Sequence, residues 1–450
     1  MKKLIFVFLF CAFTNFLSAQ TNVSGGIYTN TTWTLANSPY IVIDTVVVFP
    51  GVTLAIEPGV TVRFDDNKFL EIRQSNLIAQ GTSTDFITFT SNSSSPVPGS
   101  WKQIFLNQPV PQLTFKYCNF RYASRAIWLI PSFLDTITIK NSTFSFNITG
   151  MQMHFSGGGF ALIDSVKFLH NSVGGELIRG LISNSNFLYD STGLNGYFCS
   201  VKNSIIRNNY YDGLNGCDSV VNCIINNNNR GVIAGVIKNC IVDSNMVGIP
   251  AAGIISNCEI KHNVYGVEAA DTIKYNIIEN DSIGIYMDLN GQCCPKVYCN
   301  KICDNTAYSL FNGSHFNFSI ANNFWCTNDS ATIANAVYDG YDNIAMGLVN
   351  YMSIDTQQCY LNTGTSIYIL KDFSSISISP NPATNEIKIT NLSPTENQIS
   401  IYNLLGQQEK SISVNHVQST ILPVSDLPAG IYVVTIFDGE KIVCKKFVKE

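Results

Sequence analysis

Charge is scarce in this sequence. Asp, Glu, Lys and Arg make up 13% of its 450 residues, about half the share usual in soluble globular proteins. The formal net charge is −5, and neither sign forms a long run. A basic stripe for nucleic acid and a polybasic membrane patch are therefore both missing. Long apolar runs are scarce too. The stretch from Leu4 to Phe13 is too short for a membrane span, and no later segment is long enough for one. His154, His170, His262, His315 and His416 are isolated from one another, so no histidine pair has metal-ligand spacing. Asp339, Asp342 and Asn343 lack the regular loop of an EF-hand and read as turn caps. No cofactor, metal or catalytic motif emerges. Asn, Ser, Thr and Gly do much of the surface work, which suits stacked β-structure. There, uncharged side chains can lie above one another without like-charge repulsion.

The start of the chain is Met1-Lys2-Lys3, then the apolar run, then Leu17-Ser18-Ala19-Gln20. A basic start, a short apolar core and small residues at a cleavage site are expected of a secretory signal peptide over residues 1–19. Cys11 has no small residues just before it, which argues against a lipoprotein.

What is abundant is repetition. Asn203-Ser204-Ile205-Ile206, Asn222-Cys223-Ile224-Ile225, Asn239-Cys240-Ile241-Val242 and Asn257-Cys258-Glu259-Ile260 are variants of one block. Each is followed by another Asn and then by Gly plus an apolar residue, at Gly213, Gly231, Gly248 and Gly266, with Gly284 continuing the series. The glycines step by 18, 17, 18 and 18 residues. Self-similarity at so short a period marks a repeat architecture. A unit of this length with β-branched apolar positions has no room for two helices. It reads as one coil of a β-solenoid, with each coil stacked on the next. The leading Asn of each block belongs in a tight turn, bonded to its own backbone or to the Asn of the next coil.

The sequence holds 14 cysteines. Cys223, Cys240 and Cys258 follow the repeat Asn, so they should stack in one column as small buried thiols. Cys293, Cys294, Cys299, Cys303 and Cys326 are clustered, with a CC-x4-C-x3-C spacing unlike a zinc site. In an exported protein this predicts one or two disulfides after Gly284.

Several strings resemble known exported families. Thr32-Trp33-Thr34, Gly51 to Phe64, Leu77 to Thr82 and Gly99-Ser100-Trp101 resemble the N-terminal cap of bacterial exported β-helix proteins, here assigned to residues 20–112. The coils over 113–355 are similar to the right-handed parallel β-helix of the pectin-lyase-like class. Asn322-Asn323-Phe324-Trp325, Asp339 to Asn343 and Gly347 to Tyr351 look like its closing segment, with a short helix from Ser330 to Val337. After a polar linker at 356–372, residues 373–450 resemble the type A sorting domain of the type IX secretion system. The carrying motifs are Pro380-Asn381-Pro382, Gly406, Gly430, Tyr432 and Lys446. The resemblance implies a small β-sandwich that engages the secretion machinery, export across the outer membrane, removal of the domain, and attachment or release. The expected fold is thus all-β: a right-handed parallel β-helix followed by a small C-terminal β-sandwich.

Pectin-lyase-like folds often act on polysaccharides, so a lyase or hydrolase is weighed against a binding scaffold. Arg207, Asn226, Asp243, Lys261 and Glu279 are spaced 19, 17, 18 and 18 residues apart and should form one column. Asp243, Lys261 and Glu279 would be two acids around a base, or simply a charge ladder. Tyr210, Tyr211, Tyr265 and Tyr286 could stack on sugar rings if they lie outside. Eight Asp-Ser/Thr pairs followed by an apolar residue or Thr, Asp190-Ser191 and Asp281-Ser282 among them, are similar to bacterial O-glycosylation acceptors, and equally suit turns before strands. The reading is a secreted, surface-delivered scaffold that faces polysaccharide or surface glycan.

Overall fold

The computed structural model describes residues 20–450 apart from 110–112, 130–135, 156–157, 288–294, 357–358, 362–376, 391, 393–396, 404–407, 415–416 and 438–441. The expected signal peptide over residues 1–19, Cys293, Cys294 and Gly406 therefore lie outside the described residues, as does most of the expected linker. Two compact units are present, Met1–Tyr368 and Ile369–Glu450.

In the first unit the described residues place 38 strands in one continuous sheet. Every pairing in it is parallel and joins a strand to the equivalent strand of the next coil, as with Ile205–Arg207, Ile224–Asn226 and Ile241–Asp243. Parallel crossovers of this kind are right-handed, and the unit is a right-handed parallel β-helix. The period-2 alternation of each strand sets its core. In the short strands the central residue points inward, so Ile206, Ile225, Val242, Ile260 and Ile278 are all fully buried. Upstream the same column is aromatic: Phe89, Phe120, Phe144, Phe168 and Phe187 stack at centroid separations of 5.1, 4.6, 5.2 and 4.7 Å. Each such side chain contributes about 1.5–3 kcal/mol by leaving water.

Two corners in each coil turn the chain through the left-handed region. One holds Asn203, Asn222, Asn239 and Asn257 at φ 50, 54, 54 and 56°, where Asn is among the few residues that fit easily. Asn222 Nδ2 donates to Asn203 Oδ1 at 3.3 Å, and Asn239 Nδ2 to Asn222 Oδ1 at 3.1 Å. The second corner, five residues on, holds Tyr122, Phe146, His170, Tyr189, Asn208, Asn227, Ser244 and His262. The repeat glycines serve a different purpose. A Cβ on Gly231 would lie 2.4 Å from Gly248 O, and one on Gly213 2.5 Å from Gly231 O, so these positions are set by coil-to-coil approach.

The short helix forms at Ser330–Asn335, capped by Asp329, whose side chain accepts the Thr332 N–H at 3.0 Å. The second unit has a three-stranded sheet built from Ser377–Ser379, Glu386–Thr390 and Ser419–Pro423. Its other sheet has four strands, Asn397–Tyr402, Gln408–Val414, Gly430–Phe437 and Ile442–Lys449, and both are antiparallel. They enclose Ile387, Ile389, Ile399, Ile401, Val434 and Phe447.

Candidate functional site

The register aligns the charged column of the short strands. Arg207 faces Asn226, Asn226 faces Asp243, Asp243 faces Lys261 and Lys261 faces Glu279. The side chains of Asp243, Lys261 and Glu279 are committed outside the column. Lys261 pairs with Glu259 on its own strand, and Lys301 of the next coil pairs with Glu279. Asp243 Oδ1 lies 3.0 Å from His262 Nδ1, and Arg207 Nε donates to Asn226 Oδ1 at 2.9 Å. Hydrogen bonding to Glu259 raises the Lys261 ammonium above its usual range, so it stays protonated at neutral pH.

The aromatic residues named from sequence divide into two groups. Tyr210 and Tyr211 are 71% and 54% exposed and meet edge-on at 4.7 Å. Tyr265 contacts Tyr286, which stacks on Phe311, which stacks on Tyr338. A stacked column offers edges, because its faces are covered by neighbours. The same holds for Tyr122, Phe146, His170 and Tyr189, stacked at 5.8, 5.2 and 5.3 Å. On another outward face Trp128 stacks on Phe105 at 4.6 Å, under the Arg125 guanidinium. Arg125 then donates to Gln152, and Gln152 to Glu176. Sequence reasoning missed this network, whose members come from separate coils of irregular length.

Of the clustered cysteines, Cys303 is bonded to Cys326 and Cys299 to Cys359. Cys359 lies 60 residues from its partner, outside the cluster that close spacing marks. Asp339 and Asp342 cap a turn. Asp339 accepts the N–H groups of Tyr341 and Val349 at 2.9 and 2.8 Å, and Asp342 accepts that of Asp339 at 3.1 Å.

Two internal ladders carry the greater surprise. Asn147, Asn171, Asp190, Asn209, Asn228, Asn245, Asn263, Asp281 and Asn305 stack inside the second corner, each Oδ1 accepting a main-chain N–H of the preceding coil. The asparagines also give Nδ2 to a core carbonyl, for example Asn209 to Phe187 O at 3.2 Å. Asp190 and Asp281 have no such donor when ionised, and their Oδ2 atoms are buried without a partner. Burial pushes their carboxyls up to about 8 and about 7. The second ladder runs through Ser142, Ser185, Ser204, Cys223, Cys240, Cys258, Asn276, Asn300 and Asn323. The thiols are thus in hydrogen-bonding positions, which simple apolar packing does not convey.

In the second unit Asn381 reaches across to the last strand. Its Nδ2 donates to Lys446 O at 3.2 Å and its Oδ1 accepts the Val448 N–H at 2.9 Å. Tyr432, 5% exposed, stacks on Phe447 and donates its hydroxyl to Pro428 O at 2.9 Å. Pro380 and Pro382 flank the bridging Asn, and Gly430 opens the strand that carries Tyr432. Residues 377–450 match the family of secretion system C-terminal sorting domains. The tail is a type IX sorting domain. It directs export through that system to the cell surface or extracellular space and implies contact with the secretion machinery. No curated protein matches the chain. Among the described residues no helix is long and apolar enough to cross a membrane.

Proposed function

We propose that the exported β-helix is a non-catalytic binding and adhesion scaffold that faces carbohydrate at the cell surface. The observation that carries this reading is the fate of the charged column. Lys261, the base between its two acids, is held protonated by Glu259, so it is poorly suited to take a proton from a sugar carbon. Asp243 and Glu279 are turned to His262 and Lys301. What the coils offer instead is repetition: rows of Asn, Ser, Tyr and Lys at a fixed spacing along extended faces. A polymer with its own repeat is the natural counterpart of such a surface.

The rival reading is a polysaccharide lyase or hydrolase of the pectin-lyase-like class. Both are addressed by incubating the secreted protein with a broad polysaccharide panel and following retention and new chain ends. Retention without new ends is expected. New ends that disappear in Asp243→Ala or Lys261→Ala would replace the scaffold with an enzyme. A blank on both counts would point to a protein partner or a purely structural role.

A further inference from the structure

One outward face of the β-helix carries a row of lysines. The strands Thr192–Lys202, Asp212–Val221, Arg230–Lys238, Ala251–Ser256, Ala270–Lys274 and Lys296–Tyr298 pair in register. Lys202, Val221, Lys238, Ser256, Lys274 and Tyr298 consequently form one stretch of a column, which continues upstream through Ser183 and Asp164 to Lys140 and Lys116. Lys296, paired with Thr272, stands in the adjoining column. The three lysines of this stretch are 36 residues apart, which is two coils. With strands about 4.8 Å apart, an ammonium recurs about every 9.6 Å along the axis.

The short-strand face treats its lysines differently, pairing Lys261 and Lys301 with glutamates. Among the described residues, no ion pair involves Lys202, Lys238, Lys274 or Lys296. Asp218 and Asp271 precede the column by three residues on their strands. The Lys274 ammonium rests over the Tyr275 ring at 5.7 Å.

This column also borders a cavity. Lys238, Ser256, Asn257, Lys274 and Tyr275, with the Cys299–Cys359 disulfide, line a groove of about 550 Å³. Asn257 is only 8% exposed, and its Oδ1 has no hydrogen-bond partner. The groove therefore presents two cations at a fixed spacing.

We propose that this groove binds a linear acidic polysaccharide bearing one carboxylate per disaccharide, laid along the column of lysines. The proposal rests on the carbohydrate-facing reading above and names the ligand class and its place. An extended disaccharide is of the same order of length as two coils, so successive anions meet Lys202, Lys238 and Lys274. The intervening uncharged sugars lie over Val221 and Ser256. A nucleic-acid duplex fits poorly, since each strand advances only about 3.4 Å along the axis per phosphate, roughly a third of the lysine spacing.

The test uses the secreted protein with three probes: hyaluronan, the same polymer with its carboxyls reduced to alcohols, and a neutral β-glucan. Hyaluronan should be retained at low salt and released at high salt, and the carboxyl-reduced polymer should not be retained at this site. Lys238→Glu with Lys274→Glu should weaken hyaluronan binding about tenfold or more, because an attraction becomes a repulsion at each site. Lys167→Glu, on a short strand of another face, should leave it unchanged, and circular dichroism should show both variants folded. Hyaluronan binding that survives the double substitution, or that falls equally in Lys167→Glu, would overturn the assignment. Equal retention of the carboxyl-reduced polymer or the β-glucan would overturn it while leaving the carbohydrate scaffold standing. Failure of all three probes would remove this ligand class, and a blank polysaccharide panel would remove the scaffold reading as well.

Discussion

Asn171 donates its main-chain N–H to Asp190 Oδ1 at 2.7 Å, in a ladder where almost every other rung is an amide. The neighbouring rungs, Asn171 and Asn209, give Nδ2 to Phe144 O and Phe187 O. By the same register, Asp190 Oδ2 occupies the place of an Nδ2 facing the Phe168 carbonyl. Only a protonated carboxyl can donate there, and burial favours that neutral form. Asp281 repeats the arrangement, with Asp243 opposing its ionisation and His262 favouring it.

Two raised carboxyls make stability depend on pH. Their folded values, about 8 for Asp190 and about 7 for Asp281, lie above the ordinary carboxyl value of 3.8. Between those limits the folded state keeps a proton that the unfolded state has released. Stability therefore falls as pH rises from about 4, by about 1.4 kcal/mol per unit for each group, until each folded value is passed. Asp190→Asn and Asp281→Asn restore the missing donor. Both should raise the melting temperature at pH 8 and together flatten its slope between pH 5 and 8. A lower melting temperature for both at pH 8 would show that these carboxylates are satisfied as anions.

The cysteine ladder predicts an unusual tolerance. Ser204 and Cys240 occupy equivalent rungs, and Cys240 Sγ contacts the Cys223 N–H and Lys238 O at 3.5 and 3.2 Å. Cys240→Ser keeps an acceptor and a donor, so thermal unfolding should shift by less than about 1 kcal/mol. Cys240→Val supplies neither and should cost about 1–3 kcal/mol. The reverse order would return the thiols to plain apolar packing.

Gly231 supplies a steric test of coil spacing. With Gly248 O only 2.4 Å from the place of a Cβ, Gly231→Ala must push two main chains apart or break the stack. A loss of about 1–3 kcal/mol or more is expected in denaturant unfolding. An unchanged midpoint would mean that the coils slide apart at little cost.

The repeating part of the fold was legible because identical coils must repeat identical constraints. Asn203, Asn222, Asn239 and Asn257 mark a left-handed corner, and Gly213, Gly231 and Gly248 mark a close approach. The alignment of Asp243, Lys261 and Glu279 followed from counting residues. Their partners did not follow, because Lys261 turns along its own strand to Glu259 instead of across to the next coil. The acidic rungs were hidden in another way. Asp190-Ser191 and Asp281-Ser282 look like surface turns, yet both aspartates are buried. Only alignment with Asn171, Asn209 and Asn263 shows that each stands where an amide belongs. The lysine column had a readable signal, a spacing of twice the coil period, which a search at single-coil period passes over.

Asn381 ties the first motif of the sorting domain to its last strand. Its amide bridges Lys446 O and the Val448 N–H, and the neighbouring Ala383 N–H adds a bond to Val448 O at 2.8 Å. Two motifs separated by most of the domain are therefore one structural feature. Asn381→Ala removes both side-chain bonds at an exposed site, where water replaces part of the loss, so the domain should lose only about 1 kcal/mol and stay folded. Recognition by the secretion machinery would suffer more than stability if the machinery reads the end of this strand in its fixed position. Pulse-labelling with cell fractionation should then show uncleaved chain accumulating in the periplasm. Asn381→Asp, which keeps the acceptor for Val448 and loses the donor to Lys446, should fall between alanine and the native residue. Full export of the alanine variant would mean that the strand end is held, or read, without this bridge.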